Sequence, residues 1–130
     1  PQQNKMMPLM VFFDPQCPFC KSLWNASRAG ENQNIPVIWI PVSILNDNSY
    51  GQSAAILSSE HPIDIMNKHI AILNNGGKGI EPMPNNQIPE SLKIALDRNI
   101  LLYSKLGFKD FPIIFKMTSN GSWLIKKGEA

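Results

Sequence analysis

The sequence predicts a single α/β domain: a strand, a helix and a second strand open the chain, helical patterns fill its middle, and two strands around a turn close it. Leu9-Met10-Val11-Phe12-Phe13 is a continuous apolar run bounded by Pro8 and Asp14-Pro15, the pattern of a strand covered on both faces. It delivers the chain directly to Cys17. From Pro18 to about Ala29 the residues favour a helix, with Phe19, Leu23 and Trp24 expected on one side and Gly30 as the stop. Ile35 to Ile44, rich in Val and Ile, reads as the second strand, and Pro36 and Pro41 place it at a sheet edge. Strand, helix, strand is a parallel crossover unit.

Between about Ser49 and Asn75 apolar residues recur at helical spacing and are interrupted at His61-Pro62, which predicts two helices. A Gly/Pro/Asn-rich stretch from Asn74 to Pro89 has the composition of a mobile loop. A third helical pattern follows through Leu92, Leu96, Tyr103 and Leu106, opened by Pro89 and stopped by Gly107. Ile113 to Met117 and Trp123 to Ile125 then flank Asn120-Gly121, a strong hairpin signal, so the chain should finish in an antiparallel pair. No internal repeat or low-complexity tract is visible.

The length of 130 residues suits one domain over residues 1–130, able to bury roughly two thirds of its unfolded surface. Its 43% hydrophobic and 17% charged residues fit a globular protein, and neither a long apolar run nor a signal-peptide pattern occurs. The first residue is Pro1, as in a processed chain. The net charge of +2, with lysines scattered rather than striped, argues against nucleic acid or an anionic membrane as partner, and no direct membrane insertion is expected.

Cysteine usage is the informative part: the chain has two, Cys17 and Cys20, three positions apart. The nucleophile in disulfide exchange is the thiolate, and an ordinary thiol with a pKa near 8.5 is mostly protonated at neutral pH. A helix beginning at Cys17 or Pro18 would set the Cys17 sulfur among free backbone N–H groups at the positive end of the helix dipole, which lowers its pKa. Pro18 suits that first turn, where the missing N–H has no helical acceptor anyway. Cys20 falls on the same helical side one turn deeper, within disulfide reach. Cys17 is therefore expected to be the exposed nucleophile and Cys20 the buried resolving thiol.

Two paired cysteines also suit metal binding. A zinc site would need His61 and His69, whose spacing matches no common finger, so no metal is expected. His69 lies on the apolar side of its helix, as a satisfied core histidine would, and His61 reads as surface. A soft Cu(I) site gripped by both thiolates remains an alternative that the sequence leaves open. Asn25-Ala26-Ser27 and Asn120-Gly121-Ser122 match the glycosylation pattern, one on a helix and one in a turn, and are read as chance.

Phe13-Asp14-Pro15-Gln16-Cys17-Pro18-Phe19-Cys20-Lys21-Ser22-Leu23-Trp24 closely resembles the active-site segment of the DsbG/DsbC group of bacterial periplasmic disulfide isomerases. A second block, Ala54 to Pro62, resembles the helical segment that those proteins insert into their fold, and the likeness runs from about Leu9 to Ile125. The resemblance implies a thioredoxin-like fold with a helical insertion at about residues 49–106, acting as a thiol–disulfide oxidoreductase of isomerase type. It implies a periplasmic setting, secreted or periplasmic proteins with disulfides as substrates, a membrane redox partner and no cofactor. Cys17 and Cys20 would be catalytic, with Pro18 and Phe19 as the motif dipeptide. Phe111 and Pro112 fall at the family's substrate-binding cis-proline position.

Three departures stand out. Phe111 replaces the threonine usual before that proline. No counterpart of the family's N-terminal dimerisation domain is present, and the chain reaches Gly128-Glu129-Ala130 about where the closing helix of a thioredoxin fold would follow, which would leave one sheet face incompletely covered. The rival functions are a glutaredoxin-like reductase, since Cys-Pro-aromatic-Cys is also similar to that centre, and a copper-binding or chaperone protein without turnover.

Overall fold

The structure, a computed structural model, describes residues 7–127; Pro1 and Gly128-Glu129-Ala130 lie outside the described residues. Strands β1 (Leu9–Phe13), β2 (Val37–Pro41), β3 (Ile113–Met117) and β4 (Trp123–Lys127) form one sheet in the order β2-β1-β3-β4. β1 pairs in parallel with β2, from Leu9 opposite Val37 to Phe13 opposite Pro41. It pairs antiparallel with β3, Phe12 facing Ile113, and β3 pairs antiparallel with β4. The central position of β1 explains its unbroken apolar sequence, since both faces are covered. Val11, Phe12 and Phe13 are each no more than 3% exposed.

The helices are α1 (Pro18–Ser27), α2 (Asp47–Ser58), α3 (Pro62–Asn74) and α4 (Glu90–Lys105). Phe12 turns to the α4 side, where its ring meets Tyr103 and Phe108 edge-on. Phe13 and Trp39 turn to the other side, where Trp24 of α1 lies 5.0 Å from Trp39. Thus α1 and α4 cover opposite faces of the β1–β2 region, joining a layered α/β core. A smaller cluster of Ala54, Ile88 and Leu96 ties α2 to α4. No helix among the described residues is long and apolar enough to cross a membrane.

Several expectations are refined. The second strand is shorter than Ile35–Ile44: beyond Pro41 only the Val42 N–H still reaches Phe13, and the N–H groups of Ile44 and Leu45 turn instead to the Asp14 carboxylate. It does lie at the sheet edge. Helix α1 stops at Ser27, and Gly30, at φ +55°, opens a short 3-10 turn over Gly30–Asn34. Its buried side is Cys20 and Trp24, whereas Phe19 is 53% exposed, so the side assigned to Phe19 is corrected.

The 74–89 stretch is anchored rather than free: Met83 N–H bonds to the Gly51 carbonyl, and buried side chains of α2 and α3 grip residues 78 to 80. The closing hairpin uses three loop residues, with a turn from Thr118 to Gly121 and Gly121 at φ +87°. Trp123, Leu124 and Ile125 of β4 are 46%, 57% and 53% exposed.

Candidate functional site

Asp14-Pro15-Gln16-Cys17 is a β-turn between β1 and α1, closed by the Cys17 N–H donating to the Asp14 carbonyl at 3.0 Å. Proline at its second position and aspartate at its first suit that geometry, and the Asp14 carboxylate accepts the Gln16 N–H at 2.9 Å. The same carboxylate is fully buried and accepts the Ser49 hydroxyl at 2.7 Å and the N–H groups of Ile44 and Leu45 at 2.8 and 2.9 Å. Four donors from three segments therefore pin the residue three positions before Cys17. No local pattern around Asp14 signals this, because three of the donors lie 30 to 35 positions away.

Cys17 is the N-cap of α1, in an extended conformation with Pro18 at the first helical position. Its sulfur accepts the Cys20 backbone N–H at 3.2 Å. The two cysteines are thus brought together as free thiols at one helix start. The Cys17 thiol is held below the ordinary range. The largest cause is the hydrogen bond from the Cys20 side chain, joined by the N–H groups of Cys20 and Phe19, against burial and the charge of Asp14. Burial pushes the Cys20 thiol well up, and its hydrogen bond to Cys17 and the charge there add to the rise.

Cys17 is only 4% exposed and Cys20 2%, so the expected contrast between an exposed and a buried thiol is absent. Ionisation, not exposure, separates them. Phe19 projects from the motif into solvent beside the pair.

The Phe111–Pro112 peptide bond is cis. Phe111 is buried in the same cluster as Cys17, with its ring flat on Tyr103, centroids 4.7 Å apart. Its side chain is therefore committed to the core, leaving only backbone to meet another molecule. His61 is exposed at the start of α3. His69 is wholly buried, and backbone groups engage both its ring nitrogens. Among the described residues no three His, Cys, Asp or Glu side chains are gathered to hold a metal ion.

The chain is 28% identical over 119 residues to the thiol:disulfide interchange protein DsbG of Pseudomonas aeruginosa, covering 91% of this chain and 45% of that protein. It is 30% identical over 113 residues to DsbG of Escherichia coli, covering 86% and 44%. The chain is a homologue of the DsbG thiol:disulfide interchange proteins. It spans less than half the length of these DsbG relatives. Among solved structures, DsbA2 of Pseudomonas aeruginosa superposes with a TM-score of 0.73 at 13% identity, over 96% of this chain and 82% of that one. That likeness shows the thioredoxin-like fold expected from the resemblance. No family model matches the chain.

Proposed function

We propose that this DsbG homologue is the catalytic domain of a thiol–disulfide oxidoreductase of isomerase type, acting on the disulfides of secreted or periplasmic proteins. The observation that carries the reading is the Cys17 sulfur capping α1 with its thiolate favoured, directly over a Cys20 whose thiol is held protonated.

In the reaction, the Cys17 thiolate attacks one sulfur of a substrate disulfide. A Cys17–substrate disulfide forms, the substrate S–S bond breaks, and the departing thiolate takes a proton from solvent. Loss of the Cys20 proton then lets that sulfur attack Cys17, forming the Cys17–Cys20 disulfide and freeing the second substrate thiol. The substrate is reduced by two electrons and the motif oxidised. In isomerisation a different substrate thiol attacks the mixed disulfide instead, and the motif stays reduced.

The protonated Cys20 favours that second outcome, because a resolving thiol held back by burial gives a substrate time to rearrange. The resemblance assigns the Phe111–Pro112 backbone the alignment of substrate beside Cys17, and the burial of Phe111 in the Cys17 cluster supports it. An oxidising compartment such as the periplasm suits disulfide-bearing substrates, with a membrane redox partner to restore the motif.

The test is turnover of insulin disulfides and of scrambled ribonuclease by the reduced chain, against Cys17→Ser. Rates above that variant in both assays are expected. Equal rates would overturn the reading. Turnover only with glutathione would point to the glutaredoxin-like alternative, and Cu(I) binding without exchange to the copper carrier.

A further inference from the structure

Besides Ser49, which holds Asp14, helices α2 and α3 send the buried polar side chains Gln52 and His69 toward the Cys17 turn. Gln52 of α2 is 1% exposed and His69 of α3 is 0% exposed, and both are fully hydrogen-bonded. The His69 Nε2–H donates to the Pro15 carbonyl at 2.7 Å, and Nδ1 accepts the Ile80 N–H at 3.1 Å, an arrangement that only the neutral ring with its proton on Nε2 satisfies. The Gln52 amide donates to the carbonyls of Lys78 and Ile80 at 2.8 and 2.9 Å, while its oxygen accepts the Gln16 side-chain amide at 2.6 Å. Gln16 also donates to the Lys78 carbonyl at 2.9 Å.

One bond from each side chain reaches the turn, His69 to Pro15 and Gln52 to Gln16, the two residues that lead the chain from Asp14 to Cys17, and the others hold residues 78 to 80 beside it. Between the two grips, Gly79 sits at φ +95°, and a Cβ there would overlap the His69 ring and the Gln52 amide. The loop thus comes as close to both side chains as a chain without side-chain bulk allows. A core that needed only stability could fill the Gln52 and His69 positions with apolar residues and avoid the cost of burying an amide and an imidazole. A fully satisfied polar network instead fixes one geometry.

We propose that Gln52 and His69 are positioning residues for Cys17, holding the turn through Gln16 and Pro15 so that the sulfur stays on the start of α1. The proposal rests on the oxidoreductase reading, since only a reactive Cys17 gives that geometry a purpose. Neither side chain touches the substrate or the sulfur. Their effect is conformational: with the Pro15 carbonyl released, the turn relaxes, the sulfur leaves the N–H groups of Phe19 and Cys20, and the thiolate loses its stabilisation. Asp14, the charged group facing both the ring and the thiols, is held from outside the turn by Ile44, Leu45 and Ser49, bonds that do not involve His69 or Gln52.

The experiment measures the alkylation rate of Cys17 against pH in the reduced chain, with folding followed by circular dichroism. His69→Leu is expected to raise the midpoint by about half a pH unit or more. His69→Gln, whose amide can donate to Pro15 and accept from Ile80, should restore most of the wild-type profile. Gln16→Ala, at a partly exposed position, should raise the midpoint by less and decides the matter should His69→Leu not fold. A folded His69→Leu with an unchanged midpoint overturns the proposal, as does His69→Gln shifting as far as His69→Leu. An unchanged midpoint in Gln16→Ala does so where His69→Leu does not fold. A wild-type midpoint at the ordinary thiol value would overturn the oxidoreductase reading instead, so the two failures are distinct.

Discussion

The backbone N–H of Cys20 points at the Cys17 sulfur across 3.2 Å, so the two cysteines are linked by a hydrogen bond that favours charge on one of them only. Both are almost wholly buried, which removes exposure as the ground for different reactivity. The thiolate fraction decides it: Cys17 is held below the ordinary range, chiefly by the Cys20 side chain, while burial lifts Cys20 above it. Limiting iodoacetamide at pH 7 should therefore label Cys17 first, as peptide mapping by mass spectrometry would show. Faster labelling of Cys20 would mean that the anion sits on the other sulfur.

The same pair makes the stability of the reduced chain depend on pH in a defined direction. Cys17 has a folded pKa below its unfolded value of about 8.5, so between the two the unfolded chain binds more protons and stability rises with pH. That contribution is complete above about 8.5 and is lost as pH falls through the folded value. Cys20, raised by burial, acts oppositely: its contribution is present below about 8.5 and is lost as the pH rises further. Stability of the reduced form minus that of the oxidised form should climb to a maximum near pH 8.5 and then fall. Groups common to both forms, His69 among them, cancel in the difference. Urea titrations of both forms across pH would record it, and the stability of the reduced chain minus that of Cys17→Ser, which keeps Cys20, should show the climb alone.

Much of this arrangement is legible in the chain. The strand-helix-strand opening, the edge position of β2, the interruption at His61-Pro62, the helix start at Pro18 and the closing hairpin all follow from apolar period, proline placement and turn residues, because these signals act within a few residues. The phase of α1 is not legible in that way. Phe19 with Leu23 and Cys20 with Trp24 are both pairs four apart, and only the packing of Trp24 on Trp39 decides that the second faces inward. The grip on Asp14 and the roles of Gln52 and His69 are long-range as well. Pro15 and His69 are 54 positions apart, and a glutamine in a helix gives no sign that its amide will be buried.

Gly79→Ala should be costly although the residue is in a loop. The positive φ of +95° alone disfavours an L side chain by roughly 1–2 kcal/mol, and the new Cβ must displace the His69 ring or the Gln52 amide. Overpacking of this kind costs about 1–3 kcal/mol, so a total of about 2–5 kcal/mol is expected. Gly76→Ala, at a similar φ of +87° but with nothing within 4 Å of its Cβ, is the control and should lose only the conformational part. Equal losses in thermal unfolding would show that crowding at His69 contributes nothing.

Phe111 lies parallel to Tyr103 within 3°, and the Tyr103 hydroxyl donates to the Asp110 carbonyl at 2.6 Å, so one tyrosine fixes both the ring and the backbone just before it. The two contacts separate by substitution. Phe111→Ala removes a ring that is 8% exposed and leaves a cavity beside Tyr103, for an expected loss of about 3–5 kcal/mol. Tyr103→Phe keeps the stack and removes only the hydroxyl, leaving the Asp110 carbonyl to water, for about 1 kcal/mol. If Phe111 serves exchange through its backbone alone, urea titrations should find Phe111→Ala much the less stable of the two. Cys17 alkylation below the unfolding transition should remain close to wild type in Tyr103→Phe. A Phe111→Ala loss under about 1 kcal/mol would show that the ring is not anchored in the core, and would return its side chain to the candidates for direct substrate contact.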